Sequence, residues 1–317
     1  MNVPLAKAVP AGTTIAYLQC GAPLCGLVAQ VLAPAVKALG ATLKIVPAGL
    51  TASSAQAAAS TVLSLKPSAV ILTGVNPQTY AGGLKEISAA GIKVVSLSVI
   101  GDYKQYGIDF NYVGDEALAL QGTLLANWVV ANKGPNANVV FYGVPELTFT
   151  PIQEKAFQDE LAKNCSSCKV RFESIAIATL GTTAPSTIVT DLQAHSDTNT
   201  VVFGAADAMQ GLPAALKAAG ISSLTTVAAT PGPAELQYIK DGSLTAGLGN
   251  DIPVQLWGAV DVAARLIIGQ DPTPGEVAGI GPYQFLAQKD ITFDPSHGWT
   301  GYPDFAQRFE KLWKPGS

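Results

Sequence analysis

The chain has 317 residues, 48% hydrophobic and only 13% charged, and its 19 basic against 23 acidic side chains give a net charge of −4. That much apolar material argues against a disordered chain, and the lack of a Lys/Arg cluster argues against a nucleic-acid or anionic-membrane surface. No apolar run reaches the ~18 residues of a membrane span, and the length suits two α/β lobes better than one core.

Short β-rich runs, turns and Ala-rich stretches then alternate along the chain. Thr14–Leu18 reads as a strand, followed by the turn Cys20-Gly21-Ala22-Pro23-Leu24-Cys25. A helix over Leu27–Leu39 contains Pro34, which should kink it or delay its start. Strands at Leu43–Pro47, Ala69–Thr73 and Lys93–Ser98 alternate with helices at Ala52–Leu65 and Tyr80–Ala90. The segment Gly101–Asn111, carrying Tyr103, Tyr106 and Phe110, reads as a surface hairpin, with the rim of a site as the alternative. Helices at Leu118–Ala131, Ile152–Lys163, Ala208–Ala219 and Val254–Ile268 flank strands at Asn138–Tyr142, Val170–Ala176, Thr200–Phe203, Thr225–Ala229 and Thr245–Gly249.

Most of these strands are unbroken apolar runs, as expected where a parallel sheet is covered on both faces. Leu39-Gly40, Ala90-Gly91 and Ala219-Gly220 each end a helix with the glycine that a left-handed closing residue favours. The pattern divides into two such series, before and after about residue 113. The expected fold is α/β, two doubly wound parallel-sheet lobes, whose ligands gather where strand carboxyl ends meet helix N-termini.

Catalytic motifs are missing: no P-loop, dinucleotide fingerprint, zinc-protease helix or nucleophile elbow is present. His195 and His297 stand apart in polar contexts and read as surface residues. Asp207 with Glu146 is the one acid–base pair that can be nominated, and Asp207 equally suits a helix cap. The four cysteines form two close pairs, Cys20/Cys25 and Cys165/Cys168. Two local disulfides of an exported protein are favoured over free thiols or a metal or redox site. The opening Met1-Asn2-Val3-Pro4 lacks the basic flank and apolar stretch of a secretory signal. The chain is therefore either cytosolic or a mature exported form whose signal was trimmed, and the cysteine pairs favour the second.

Several stretches together resemble the type I periplasmic binding proteins, the ribose-binding group. They are Lys66-Pro67-Ser68-Ala69-Val70-Ile71-Leu72 running into Asn76-Pro77, Ala89-Ala90-Gly91-Ile92-Lys93-Val94-Val95, and Tyr112-Val113-Gly114-Asp115 before a helix with Gly122. Lys155-Ala156-Phe157, Ala206-Asp207-Ala208-Met209 and Ile239-Lys240-Asp241-Gly242 continue the series in the same order. The resemblance implies two lobes joined by three crossings, near Gly114, Asn250 and Gln284–Lys289. It places residues 1–113 and 251–285 in the first lobe and 114–250 and 286–317 in the second, with Tyr302–Trp313 a surface helix on one lobe. A solute is held between the lobes, and closure of the hinge is what a membrane partner recognises.

Carried over position by position, the resemblance also suggests the ligand set. The first turn offers Ala22, Pro23 and Leu24, stiffened if Cys20 and Cys25 are bridged. Where sugar binders carry an Asp-Arg pair after the fourth strand, this chain has Ser98-Val99. An Arg is replaced by Pro151 with Gln153 nearby, an Asn by Ala206 before Asp207, an Asp by Thr230, and a Gln by Asn250. Thr73, Asp115, Tyr142, Glu146, Phe149, Asp251 and the ring of Trp257 complete the candidates, core packing being the alternative for Trp257. Few charged groups remain to bridge several hydroxyls, so a neutral, weakly hydroxylated or aromatic solute is expected.

The expected protein is therefore a monomeric, secreted solute-binding component of an ABC importer, periplasmic or on the cell surface. Its partners are a small-molecule solute and a permease, with no nucleic acid and no membrane span, a lipid anchor being compatible with the reading. No cofactor, metal or catalysis is expected. A sensory module presenting its closed form to a receptor is the main alternative, and an enzyme on the same scaffold is the second.

Overall fold

The computed structural model describes residues 3–21, 23–73, 76–273 and 283–314, with the backbone alone at Pro23 and Leu24. Its chain forms two units. One is built from the described parts of Met1–Asp115, Ile252–Gly281 and Tyr302–Ser317, the other from those of Glu116–Asp251 and Pro282–Gly301.

The first unit carries a five-stranded parallel sheet ordered β2-β1-β3-β4-β5. Its strands are β1 (Thr14–Gln19), β2 (Thr42–Pro47), β3 (Ala69–Thr73), β4 (Lys93–Leu97) and β5 (Phe110–Asn111). Ile15, Ala16, Tyr17, Val70, Ile71, Leu72, Val94 and Val95 are buried, as unbroken apolar runs between two helical layers should be. Helices α1 (Pro23–Ala38), α2 (Ala52–Leu65) and α3 (Pro77–Ala89) connect them. Helix α1 starts before the expected Leu27 and runs through Pro34, so the proline does not delay it. The segment expected as a hairpin instead holds a 3₁₀ turn, Tyr103–Tyr106, and β5, which pairs parallel to β4.

The second unit repeats this order as β7-β6-β8-β9-β10 and adds β11 antiparallel to β10. Its strands are β6 (Asn138–Gly143), β7 (Lys169–Ser174), β8 (Thr200–Phe203), β9 (Thr225–Ala229), β10 (Ala246–Asn250) and β11 (Tyr283–Leu286). Helices α4 (Asp115–Lys133), α5 (Phe149–Asn164), α6 (Ala184–Ala194), α7 (Leu212–Ala218) and α8 (Pro233–Asp241) surround it. Gly122 permits a close approach of α4 to α5, since a Cβ there would meet the Gln153 carbonyl oxygen at 2.1 Å.

The helix expected over Ala208–Ala219 is broken. A 3₁₀ turn at Ala206–Met209 ends before Gly211, whose φ is +79°, and α7 then starts afresh with Pro213 in its first turn. Pro213 has no N–H to bond back to Met209 and is tolerated in a first turn, and the left-handed Gly211 turns the chain before α7 starts. The expected closing glycines Gly40, Gly91 and Gly220 all have positive φ.

The long helix α9 (Ile252–Ile268) and the terminal helix α10 (Phe305–Leu312) return to the first unit. The grouping differs from the expected one at residues 302–314, which lie here with the first unit, and at residues 283–285, which lie with the second. The cause is an aromatic cluster: Trp257 of α9 stacks on Trp313 at 5.5 Å and packs against Phe305 and Phe309. Beneath it Asp261 accepts from Arg265 Nε at 2.7 Å and Trp313 Nε1 at 2.8 Å, while Arg265 donates to the Val3 carbonyl. No helix among the described residues is long and apolar enough to cross a membrane.

Candidate functional site

In an open sheet of this strand order, the ligand end is the carboxyl edge, beside the point where the order reverses. In the first unit that point lies between β1 and β3. The turn after β1 is closed by a Cys20–Cys25 disulfide, and the second expected bridge, Cys165–Cys168, is also formed. Tyr17, wholly buried, donates from its hydroxyl to the Cys25 carbonyl at 3.3 Å and lies 3.4 Å from Thr73 Oγ1. Burial pushes this hydroxyl up to about 12, so it remains a donor at neutral pH. Of the predicted turn residues, Ala22 and the side chains of Pro23 and Leu24 lie outside the described residues.

The strand β4 ends in a strained residue. Ser98 has φ +58°, and its amide donates to the Val113 carbonyl at 3.1 Å. Asn111 braces this bend from within: its Oδ1 accepts from Ser96 Oγ and the Val99 amide, and its Nδ2 donates to the carbonyls of Val99 and Val113. Asp115 caps the following loop by accepting from the Gly101 amide at 3.0 Å.

The second unit repeats the strain. Thr230, the residue after β9, has φ +55°, and its amide donates to Leu248 O at 2.9 Å. Among the described residues, Lys66, Ser98 and Thr230 are the only non-glycines with positive φ, and Lys66 merely closes α2. A β-branched residue in this region is strongly disfavoured, and such strain tends to persist at functional sites. Asp207, in the turn after β8, is desolvated, and burial raises its carboxyl above the usual range. Asn250 ends β10, half-buried. Glu146 is exposed, and its carboxylate accepts from the Ile177 amide at 3.4 Å.

Other predicted residues pack in the interior of their units. Val99 is fully buried in the first core, the terms on which a replaced Arg position loses its polar role. Tyr142 stacks on Phe203 at 5.6 Å and donates to Asp191 Oδ2 at 2.5 Å; burial and that carboxylate push its hydroxyl strongly upward. Gln153 is buried and donates to Gln121 Oε1 at 2.6 Å, while Phe149 and Ala206 pack in the second core. Asp251, also buried, accepts from the Gly301 amide at 2.8 Å and Thr300 Oγ1 at 3.0 Å. Trp257 belongs to the aromatic cluster with α10 and takes the core role.

The structure adds two carboxylates that the sequence reading missed. Glu154 lies at the end of β6, where a Cβ on Gly143 would sit 1.8 Å from its Oε1, and burial raises its carboxyl. Glu235, at the start of α8, is 3% exposed. Only its spacing after Gly232-Pro233 marks it in the sequence, as the third residue of a helix start. Among the described residues, no group of three or more His, Cys, Asp or Glu is placed to hold a metal.

Two doubly wound lobes of matching strand order, with the chain crossing between units more than once, define the class of two-lobed α/β binding proteins. The family profile described as "Periplasmic binding protein domain" matches residues 24–271, and the chain belongs to that family. In fold it is of the periplasmic binding protein type I. No curated protein matches it in sequence. In fold it is similar to an ABC sugar transporter subunit from Rhodobacter sphaeroides 2.4.1 (19% identity, 88% of this chain and 99% of that one, TM-score 0.75). A galactofuranose binding protein is likewise similar (16% identity, 95% and 100% covered, TM-score 0.76). So is an ABC transporter periplasmic solute binding protein from Actinobacillus succinogenes 130z with bound D-allose (17% identity, 88% and 99% covered, TM-score 0.74).

Proposed function

We propose that this protein captures one small, neutral or weakly hydroxylated molecule, sugar-like or aromatic, between its two lobes. It delivers that solute, without catalysis, to the permease of an ABC importer outside the cytoplasm, and it acts as a monomer. The observation that carries the reading is the matched pair Ser98 and Thr230, hydroxyl residues on left-handed backbone at equivalent strand ends. Each such residue costs of order 1–3 kcal/mol and is kept only where its surroundings demand it. At these positions hydroxyls can donate and accept single hydrogen bonds, whereas charged groups would bridge several hydroxyls of a polyol. The buried Val99 supports the same reading, because it contributes no polar group beside Ser98. Membership in the family supports binding and transport, and the two disulfides support an oxidising location.

The test is a thermal-shift screen of the purified protein against pentoses, hexoses, polyols, amino acids and simple aromatic compounds. A ligand present at about 100 times its Kd stabilises by about 2.7 kcal/mol, which shifts the melting temperature by several degrees. A hit on a weakly hydroxylated or aromatic compound is expected. A hit confined to highly hydroxylated sugars would overturn the solute class, and catalytic turnover of the bound compound would overturn the absence of chemistry.

A further inference from the structure

The chain passes between its units four times, where the resemblance implies three crossings: after Asp115, after Asp251, between Thr273 and Tyr283, and after Gly301. The third passage lies outside the described residues. Side chains mark the fourth. Trp299 packs in the second core, close enough to β10 that a Cβ on Gly249 would lie 2.8 Å from its ring. Phe305, at the start of α10, instead meets Trp257 of α9 edge-on at 5.4 Å.

Two side chains of the second unit tie the feet of these passages together. Asp251, the last residue before the second passage, is wholly buried. Its Oδ2 accepts from the Thr300 hydroxyl at 3.0 Å and the Gly301 amide at 2.8 Å, the last two residues before the fourth. A buried carboxyl needs donors in place of its lost water, so burial holds these two segments side by side. Tyr283, the first described residue after the third passage, reaches the first. Its hydroxyl donates to the Ala117 carbonyl at 3.1 Å and accepts from Gln121 Nε2 at 3.2 Å, both in the opening turns of α4. Gln121 Oε1 in turn accepts from Gln153 Nε2 at 2.6 Å, which roots the network in α5. Tyr283 also stands opposite Asn250 in the antiparallel pair of β10 and β11, next to Asp251.

We propose that Asp251 and Tyr283 are positioning residues that gather the four passages into one hydrogen-bonded base on the second unit. Asp251 holds the second to the fourth, Tyr283 holds the first to the third, and the pairing of Asn250 with Tyr283 joins the two holds. Asn250, a candidate solute residue, then stands on the base itself. Bending of the passages starts from one fixed point beside it rather than from four independent strands.

The base lies wholly in the second unit and is tested on unliganded protein, so it stands or falls separately from the solute reading. The measurement is amide hydrogen exchange, followed residue by residue by NMR. Asp251→Ala should speed exchange at Gly301 by about tenfold or more, because its amide loses a buried acceptor. Asp251→Asn, which keeps an acceptor oxygen, should restore most of that protection. Tyr283→Phe keeps the ring and loses the hydroxyl. It should speed exchange by about fivefold in the opening turns of α4 and at Gly301 as well, because the base moves as one. The central-strand amides of Val201 and Val202 should be unchanged in all three variants. Gly301 unmoved by Asp251→Ala would overturn the hold on the fourth passage, and Gly301 unmoved by Tyr283→Phe would overturn the single base. Faster exchange that spreads to Val201 and Val202 would make both residues ordinary stabilisers of the second unit and overturn the positioning role. If Asp251→Ala fails to fold, the response of Gly301 to Tyr283→Phe still decides the matter.

Discussion

Thr230 holds in the second unit the place that Ser98 holds in the first. Each follows the fourth strand of its sheet, each has φ near +55–58°, and each donates its amide to the carbonyl of a residue shortly before the chain changes unit. For Ser98 that residue is Val113, and for Thr230 it is Leu248. The strand end and the crossing segment are thus one hydrogen-bonded piece in both units. A side chain presented there moves with the crossing rather than with a free loop.

Replacing Thr230 by glycine separates strain from function. Left-handed geometry costs a β-branched residue about 1–2 kcal/mol, partly offset in glycine by its greater unfolded freedom of about 0.5–1 kcal/mol. Thr230→Gly should leave unliganded stability unchanged or raise it by up to about 1 kcal/mol. Solute affinity should fall about fivefold, the worth of one neutral hydrogen bond of about 1 kcal/mol. Calorimetry and urea unfolding measure the two quantities, and a large loss of stability would count against the strain argument.

Asn250 and Asp251 are neighbours with different tasks. Asp251→Ala removes the acceptor for the Gly301 amide and the Thr300 hydroxyl, and should cost about 2–3 kcal/mol of stability. Asn250→Ala should weaken solute binding with the smaller effect on the melting temperature. The reverse pattern would show that Asp251, not Asn250, serves the solute.

The Asp261–Arg265 pair is almost fully buried, with side chains 6% and 1% exposed. Asp261→Ala leaves the Arg265 charge buried without its counter-ion and should cost about 3–5 kcal/mol in denaturant unfolding. A loss below about 1 kcal/mol would mean that water or a rearranged partner replaces the carboxylate.

Asp191 gives stability a pH dependence at the acid end. Burial would raise its carboxyl, but bonds from Arg171 and Tyr142 outweigh that and hold it below its usual 3.8. A carboxylate with a depressed folded value stabilises fully above the unfolded value and loses that contribution as pH falls through the folded one. Asp191→Asn should therefore narrow the gap in melting temperature to the wild type as the pH drops below 3.8. A gap that stays constant on acidification would contradict the ion-paired assignment.

The central strands were legible because residues such as Val70–Leu72 and Val201–Phe203 are covered on both faces and so read as apolar runs. Helices α6 and α8 were not, since Ala-Pro-Ser-Thr and Pro-Ala-Glu starts are rich in Ser, Thr and Pro and lack the Ala/Leu signal. Both disulfides followed from cysteine spacing. The site was harder to read. Ser98 and Thr230 were found by position, but their left-handed backbone depends on bonds to Val113 and Leu248, which lie 15 and 18 residues away in sequence. Trp257 and Tyr142 could not be told from core residues for a related reason. An aromatic residue near a strand end looks the same in sequence whether it faces a solute or, as here, meets Trp313 or Phe203.

The Leu5 amide donates to the Leu312 carbonyl at 2.9 Å, and Arg265 holds Val3 while Asp261 holds Trp313. The early and late segments of the chain are therefore stitched side by side on a single helix of the first unit. A short peptide joining them should close the chain into a ring with little cost, and new ends could be opened in an exposed turn of the second unit. A load applied to either segment would be borne by the first unit, leaving the second, which carries Asp207, Thr230 and Glu235, mechanically unburdened.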